Sequence, residues 1–254
     1  MRAFWALTLL TIREEFRRKT LYILFLLIPG LSLASLTLTQ IVPGSEKAFT
    51  ADITLSTLIY VVAALSMILT SDIIQKEFER GTIYTFATNP IYSTTLMLGK
   101  WFGVVMILFA VTFAVSIYSL VLTLVKYHSV EPILQKAVWL ALGQGLVLTA
   151  VGVMGSVLLS KYTNVLVISI VFLSGSFSEF TEHLSEHSSA QGFGFMKYIF
   201  KFIPDLSIYD AKNWVVLESD ISWSKILGAY GIAGVYCIFF LVLSTLFLRK
   251  RLRC

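Results

Sequence analysis

Residues 75–100, QKEFERGTIYTFATNPIYSTTLMLGK, are a polar interruption between two long apolar runs, residues 53–71 and 101–125. Helices that pack side by side are usually joined by about 2–8 residues. A charged and patterned segment of this length is therefore far longer than a connection requires. It predicts a surface at which another molecule docks.

The apolar runs indicate the fold class. Of the 254 residues, 57% are hydrophobic and 14% are charged, whereas soluble domains carry about 25% charged residues. Backbone groups inside lipid must be hydrogen-bonded within their own segment, so membrane spans of this kind are helices. The composition predicts an all-α polytopic membrane protein. The net charge of +5 comes from basic residues at the ends of the runs and does not indicate a nucleic-acid partner.

Six apolar runs are candidate spans of a single transmembrane domain, since a span needs about 20 mainly apolar residues. They are residues 20–42, 53–74, 101–125, 137–159, 162–178 and 226–248. The fifth run is short, and both a full crossing and a partial re-entry stay open. The fourth contains Gly152 and Gly155, small residues that permit close helix packing.

The first 19 residues predict a helix that lies at the membrane surface. The alternative interpretation is that they begin the first span. The apolar residues of this stretch recur at spacings of three and four, and they are Phe4, Trp5, Leu9, Ile12 and Phe16. Glu14 and Glu15 precede Arg18 and Lys19 by four positions, a spacing that favours ion pairs within a helix.

The distribution of basic residues predicts the orientation. Six spans place both termini on one side, and most of the 20 lysines and arginines belong to that side, in residues 1–19, 75–100 and the tail 249–254. Positive residues favour the cytoplasmic side, so both termini and residues 75–100 are predicted to be cytoplasmic, in a plasma or inner membrane. The polar segment 179–225 is then extracytoplasmic, and its aromatic part, residues 195–203, is predicted to be an outer interfacial helix.

Within residues 75–100, apolar side chains recur about every four positions, which predicts a short helix over residues 79–88. The stripe consists of Phe78, either Thr82 or Ile83, Phe86 and Pro90. Asn89 and Pro90 end the helix, because the residue before a proline is pushed out of the helical region. A solvated loop with a membrane-facing stripe is the alternative interpretation.

The motif E-F-E-R-G-T-I at residues 77–83, followed by N-P at 89–90 and L-G-K at 98–100, resembles the loop after the second span of ABC type-2 exporter permeases. Only Asn89 departs from that pattern, where Ser or Thr is usual. The resemblance implies a coupling helix that docks on a separate ATPase, with two ATPase copies and a second permease copy or a homologue. The docking residues that it implies are Glu77, Glu79, Arg80, Gly81, Thr82, Ile83 and Phe86.

The chain has no phosphate-binding loop. That loop needs the pattern GxxxxGK[ST], and residues 98–101, LGKW, lack both its first glycine and its Ser or Thr. The chain is therefore predicted to be non-catalytic and to bind no cofactor, with ATP and magnesium held by the partner ATPase. Because the span interiors are free of formal charge, an ion-coupled carrier is disfavoured, and an amphiphilic, lipidic or peptide-like cargo is expected.

A second motif lies in the segment 179–225. His183, Glu186 and His187 match the zinc-peptidase pattern H-x-x-E-H, and two histidines four positions apart share one face of a helix. Zinc binding with Glu186 as a base needs a third ligand, which no nearby pattern supplies. A solvated acidic loop, a metal-binding loop and a membrane metallohydrolase stay open. So does a non-exporting ABC permease that drives maturation of an extracytoplasmic, metal-containing protein.

Overall fold

The computed structural model describes residues 2–17, 22, 26–27, 29–30, 46–81, 93–128, 132–176, 204–211 and 221–253. The helices are α1 (Arg2–Phe16), α2 (Glu46–Thr70), α3 (Gln75–Glu79), α4 (Ser93–Tyr127), α5 (Pro132–Leu158), α6 (Lys161–Ser176) and α7 (Trp223–Arg253), with a 3₁₀ turn at Ser207–Tyr209. These described residues contain no β-strand. The all-α fold class is confirmed for this part of the chain.

Four helices in the described residues are long and apolar enough to cross a membrane, which indicates a membrane protein. They lie at Phe49–Glu79, which covers most of α2 and the short α3 after it, and at Ser93–Lys126, Pro132–Leu158 and Trp223–Arg251. The predicted fifth span is helix α6, whose 16 residues extend about 24 Å at 1.5 Å per residue, less than the hydrocarbon thickness of about 30 Å. The predicted first span, residues 20–42, lies almost wholly outside the described residues.

Helix boundaries differ from the prediction on both sides of the polar segment. Helix α2 begins at Glu46 rather than at residue 53, and α4 begins at Ser93 rather than at residue 101. The second difference arises because Leu96 and Met97 are 2% and 0% exposed, so tertiary packing extends the helix through a stretch that looks polar in sequence. Residues 93–100 are therefore part of α4 and not of a loop.

Helix α5 lies at the centre of the bundle and contacts α2, α4, α6 and α7. Two of its glycines receive polar side chains from neighbouring helices. A Cβ atom at Gly152 would overlap the hydroxyl of Thr70, and one at Gly155 would overlap the amide of Asn164. The prediction that the small residues of this run permit close packing is confirmed.

The helices alternate in direction, so the bundle has two ends. At one end, which we call the junction end, α7 meets α4 and α5: Arg249 Nη2 lies 3.3 Å from Thr94 Oγ1, and Arg251 Nη1 donates to Val157 O at 2.6 Å. Helix α2 ends there and α6 begins there. The opposite end contains residues 204–211 and the start of α7.

At that opposite end, Tyr209 fastens residues 204–211 to the bundle. Its side chain is 1% exposed, its hydroxyl donates to Ala229 O at 3.0 Å, and its ring fills the space beside Gly143. Nearby, Leu206 N donates to Gly175 O at 3.1 Å. Burial raises the pKa of the Tyr209 phenol above its ordinary value, because the ionised form loses its hydration.

Candidate functional site

The junction end is built around a break between α2 and α3. Helix α2 ends at Thr70 and α3 begins at Gln75, with turns between them. Across this break Ile73 N reaches Thr70 O only at 3.5 Å. Carbonyl groups that a continuous helix would satisfy are thus left to side chains from other helices.

Asn164, from the first turn of α6, donates hydrogen bonds to carbonyl groups at this break. Its Nδ2 lies 3.4 Å from Thr70 O, 3.3 Å from Ser71 O and 2.9 Å from Gly152 O. The side chain is fully buried, so no water competes for these contacts. Asn164 therefore links α2, α5 and α6 at one point.

Lys100 donates a hydrogen bond to another carbonyl group at the break and forms an ion pair with Glu77. Its Nζ donates to Ile73 O at 3.2 Å and to Glu77 Oε1 at 2.7 Å. The two charged side chains are only 3% and 6% exposed. A buried pair of this kind is strongly disrupted when one partner is removed, because the remaining charge is left without compensation.

Asp72 forms ion pairs with two lysines at the same break. Its Oδ1 lies 3.2 Å from Lys76 Nζ, one turn along, and its Oδ2 lies 3.3 Å from Lys161 Nζ at the start of α6. Two lysines on one buried carboxylate hold the base of α3 against α6. Gln75 strengthens this link, since its amide donates to Leu159 O.

Helix α1 reaches the junction through both of its acidic residues. Arg80 Nη1 lies 3.1 Å from Glu14 Oε1, and Lys76 Nζ lies 3.6 Å from Glu15 Oε1. The first pair is exposed, where such pairs are worth about 0–1 kcal/mol, whereas Glu15 is 2% exposed. The α3 segment is therefore attached to α1 as well as to α4 and α6.

Two glycines of α4 form the seat of α1. A Cβ at Gly99 would lie 2.9 Å from Leu7 Cβ, and one at Gly103 would lie 2.8 Å from Thr11 Cβ. Thr8 Oγ1 lies 3.2 Å from Gly99 O. Glycines four positions apart are the arrangement that lets two helices approach most closely in a membrane.

Helix α7 completes the junction. The guanidinium carbon of Arg251 lies 4.2 Å from the centroid of the Phe78 ring, a cation–π distance, and the same residue is hydrogen-bonded to Val157 in α5. Phe78 belongs to the motif at residues 77–83, so the last turn of the final helix touches that motif directly.

The chain turns sharply after α3. Gly81 has φ +69°, a left-handed conformation that glycine adopts without steric cost, and its N–H donates to Phe78 O at 3.1 Å. A helix therefore ends at Glu79, where the sequence predicted that one begins. The remainder of that predicted helix, residues 82–88, lies outside the described residues.

The predicted docking residues divide into three groups. Glu79 and Arg80 are exposed at the junction end, beside the half-buried Gly81. Glu77 is 5% exposed and its carboxylate is paired with Lys100 inside the bundle, so it anchors the segment. The others, Thr82, Ile83 and Phe86, lie outside the described residues.

The metal candidates His183, Glu186 and His187 also lie outside the described residues, as does the predicted outer helix at residues 195–203. Within the described ranges, no group of three or more His, Cys, Asp or Glu side chains is placed to hold a metal ion. That finding does not bear on the H-x-x-E-H motif, which stays a prediction.

Sequence reasoning missed three contributors to the junction. Asn164 was read only as part of an apolar run, and Lys100 only as the last residue of a motif. The seat for α1 carried a usable signal, because Gly99 and Gly103 are four positions apart in the sequence. The sequence spacing predicts Arg18 and Lys19 as partners of Glu14 and Glu15, and these two lie outside the described residues. The structure adds Arg80 and Lys76 as partners.

Comparison with the models of known protein families gives no match, and comparison with curated proteins gives none either.

Proposed function

We propose that this chain is the membrane permease subunit of an ATP-driven ABC exporter, and that a separate ATPase docks at the junction end. The observation that carries the proposal is the buried pair between Glu77 and Lys100. These residues come from the two ends of the motif that resembles the family's docking loop. Because the two ends of the motif are paired inside the bundle, a force applied to the motif would be transmitted to the helices. A solvated loop would not transmit it.

The contacts of α3 support a role in transmitting force. Its residues pair with Glu15 of α1, Lys100 of α4 and Arg251 of α7. Lys76 of α3 and Lys161 of α6 share the carboxylate of Asp72, and Arg80, directly after α3, pairs with Glu14 of α1. Cores and interfaces of packed helices shift between discrete arrangements rather than deforming continuously. A displacement of α3 by a motor would therefore reach four helices together.

The surface next to α3 supports docking. Glu79 and Arg80 are exposed immediately beyond the anchored residues. Exposed charged side chains next to a segment fixed in the bundle are suited to bind a partner and to transmit its movement. In this proposal the junction end is cytoplasmic, two copies of the chain assemble with two ATPases, and the cargo is amphiphilic, lipidic or peptide-like. The charge distribution supports the orientation.

Co-purification tests the proposal. The permease is captured in mild detergent from its native cells, and any co-purifying ATPase with the GxxxxGK[ST] pattern is quantified by mass spectrometry. Glu79→Arg reverses a charge at the docking surface, and we expect it to lower ATPase recovery at least tenfold. Ser222→Arg adds the same side chain at an exposed site on the opposite end and should leave recovery unchanged. Equal recovery with Glu79→Arg and wild type would show that the ATPase docks elsewhere.

A further inference from the structure

The charges of α1 are sorted between its two sides. Its acidic residues, Glu14 and Glu15, face the junction and are paired there with α3. The basic residues Arg2 and Arg13 of α1, and Arg17 directly after its last residue, are exposed. Within the part of the chain that the structure describes, no ion pair or hydrogen bond joins these three arginines to another residue. The outward side of α1 is therefore cationic.

The three arginines share one face of the helix. Arg13 follows Arg2 by 11 positions, or about three turns, and Arg17 follows Arg13 by four. No basic residue lies between Arg2 and Arg13. The basic face therefore consists of one arginine at the start of α1 and two at its C-terminal end.

An apolar face adjoins the basic one. Trp5, Leu9 and Phe16 are 55%, 55% and 42% exposed, and their spacings of four and seven place them on one side of the helix. A helix with exposed aromatic residues beside arginines is typical of elements that lie at a lipid interface.

The position of α1 along α4 places these faces at the boundary between polar and apolar surroundings. The helix is seated at Gly99 and Gly103, on either side of Lys100, where the apolar part of α4 begins. The rings of Phe4, Trp5 and Phe102 cluster there, with centroids 5.5–6.1 Å apart. Tryptophan is enriched at the level of lipid headgroups.

We propose that the outer face of α1 binds anionic phospholipid headgroups, with Arg2, Arg13 and Arg17 contacting the phosphates and Trp5, Leu9 and Phe16 contacting the acyl region. Guanidinium groups bind phosphate through paired hydrogen bonds, and basic residues beside a membrane favour anionic over zwitterionic lipids. Because Glu14 and Glu15 attach α1 to α3, lipids bound at this face would also support the junction. The inference does not depend on an ATPase partner.

Tryptophan quenching in lipid nanodiscs tests the inference on the full chain. Brominated phosphatidylglycerol and brominated phosphatidylcholine are compared at the same mole fraction, and subtracting the signal of Trp5→Phe isolates Trp5. Each arginine near an anionic surface contributes about fivefold in binding at physiological salt. We therefore expect the anionic lipid to be enriched at least fivefold beside Trp5, and the enrichment to fall at high salt because exposed charges are screened.

Two triple variants separate charge from fold. R2Q/R13Q/R17Q should reduce the enrichment to about one, and R2K/R13K/R17K should retain most of it. Lys250→Gln removes a basic charge from α7 at the same end of the bundle and should leave the enrichment unchanged. Equal quenching of wild-type Trp5 by the two lipids overturns the inference, whether or not the variants assemble. So does an enrichment that survives in R2Q/R13Q/R17Q.

Discussion

Glu77 and Lys100 form a buried ion pair across 23 positions of the sequence, with 2.7 Å between Oε1 and Nζ. Lys100 also donates to the carbonyl of Ile73 at the break between α2 and α3. One side chain thus joins the end of one membrane helix to the start of the next. It also fixes the base of the segment that carries Glu79 and Arg80.

Removing one partner of this pair should be strongly destabilising. Lys100→Met leaves the Glu77 carboxylate buried without its cation, which typically costs about 3–5 kcal/mol. The double variant Glu77→Leu/Lys100→Met replaces both charges with apolar groups and should recover most of that loss. Denaturant unfolding in mild detergent measures both. A Lys100→Met variant as stable as wild type would mean that the pair contributes little.

Asn164 should contribute to stability through the carbonyls that it satisfies. Asn164→Leu keeps a side chain of similar size and leaves Thr70 O, Ser71 O and Gly152 O without this donor. Buried groups left unsatisfied cost about 1–3 kcal/mol. Tyr162→Leu, at a side chain 79% exposed on the same helix, is the control and should change the unfolding free energy by less than about 0.5 kcal/mol. Equal effects would indicate that the amide contacts are not important.

The seat of α1 should not tolerate a larger residue. Gly103→Val places a Cβ 2.8 Å from Thr11 Cβ, and overpacking of this kind costs about 1–3 kcal/mol. Gly231→Val makes the same change in α7, where nothing lies within 4 Å of the new Cβ. Both variants carry the same helix-propensity effect, so the difference between them measures overpacking against α1. Thermal unfolding of the two variants gives the difference. If both behave alike, α1 does not depend on this seat.

Tyr209 should make the protein sensitive to alkaline pH. Since burial raises the pKa of the folded phenol, the unfolded chain ionises first, at its ordinary value near 10. The stability that this linkage contributes is present below that value and is lost as the pH rises above it. Tyr209→Phe should lose about 1 kcal/mol at neutral pH through the missing hydrogen bond.

Unfolding measured between about pH 8 and 11 tests this linkage. Tyr209→Phe should show a smaller loss of stability than wild type above about pH 10. Identical pH profiles for the two proteins would contradict the assignment.

Local sequence predicted the features that depend on local pattern. Apolar run length located the four long helices, and the small residues Gly152 and Gly155 predicted close packing around α5. The pair of Glu77 with Lys100 could not be predicted in this way, because it requires the three-dimensional path of the chain between them. Likewise, Ser93 begins a helix only because Leu96 and Met97 are buried, and burial is a property of the fold.

Site-specific photo-crosslinking in living cells detects whether an ATPase docks at Glu79 and Arg80. A photoreactive amino acid is placed at position 79, or at position 222 on the opposite end, and the captured proteins are identified by mass spectrometry. We predict that position 79 captures an ATPase with the GxxxxGK[ST] pattern and that position 222 does not. Capture of such an ATPase from position 222, or from neither position, would rule out docking at Glu79 and Arg80.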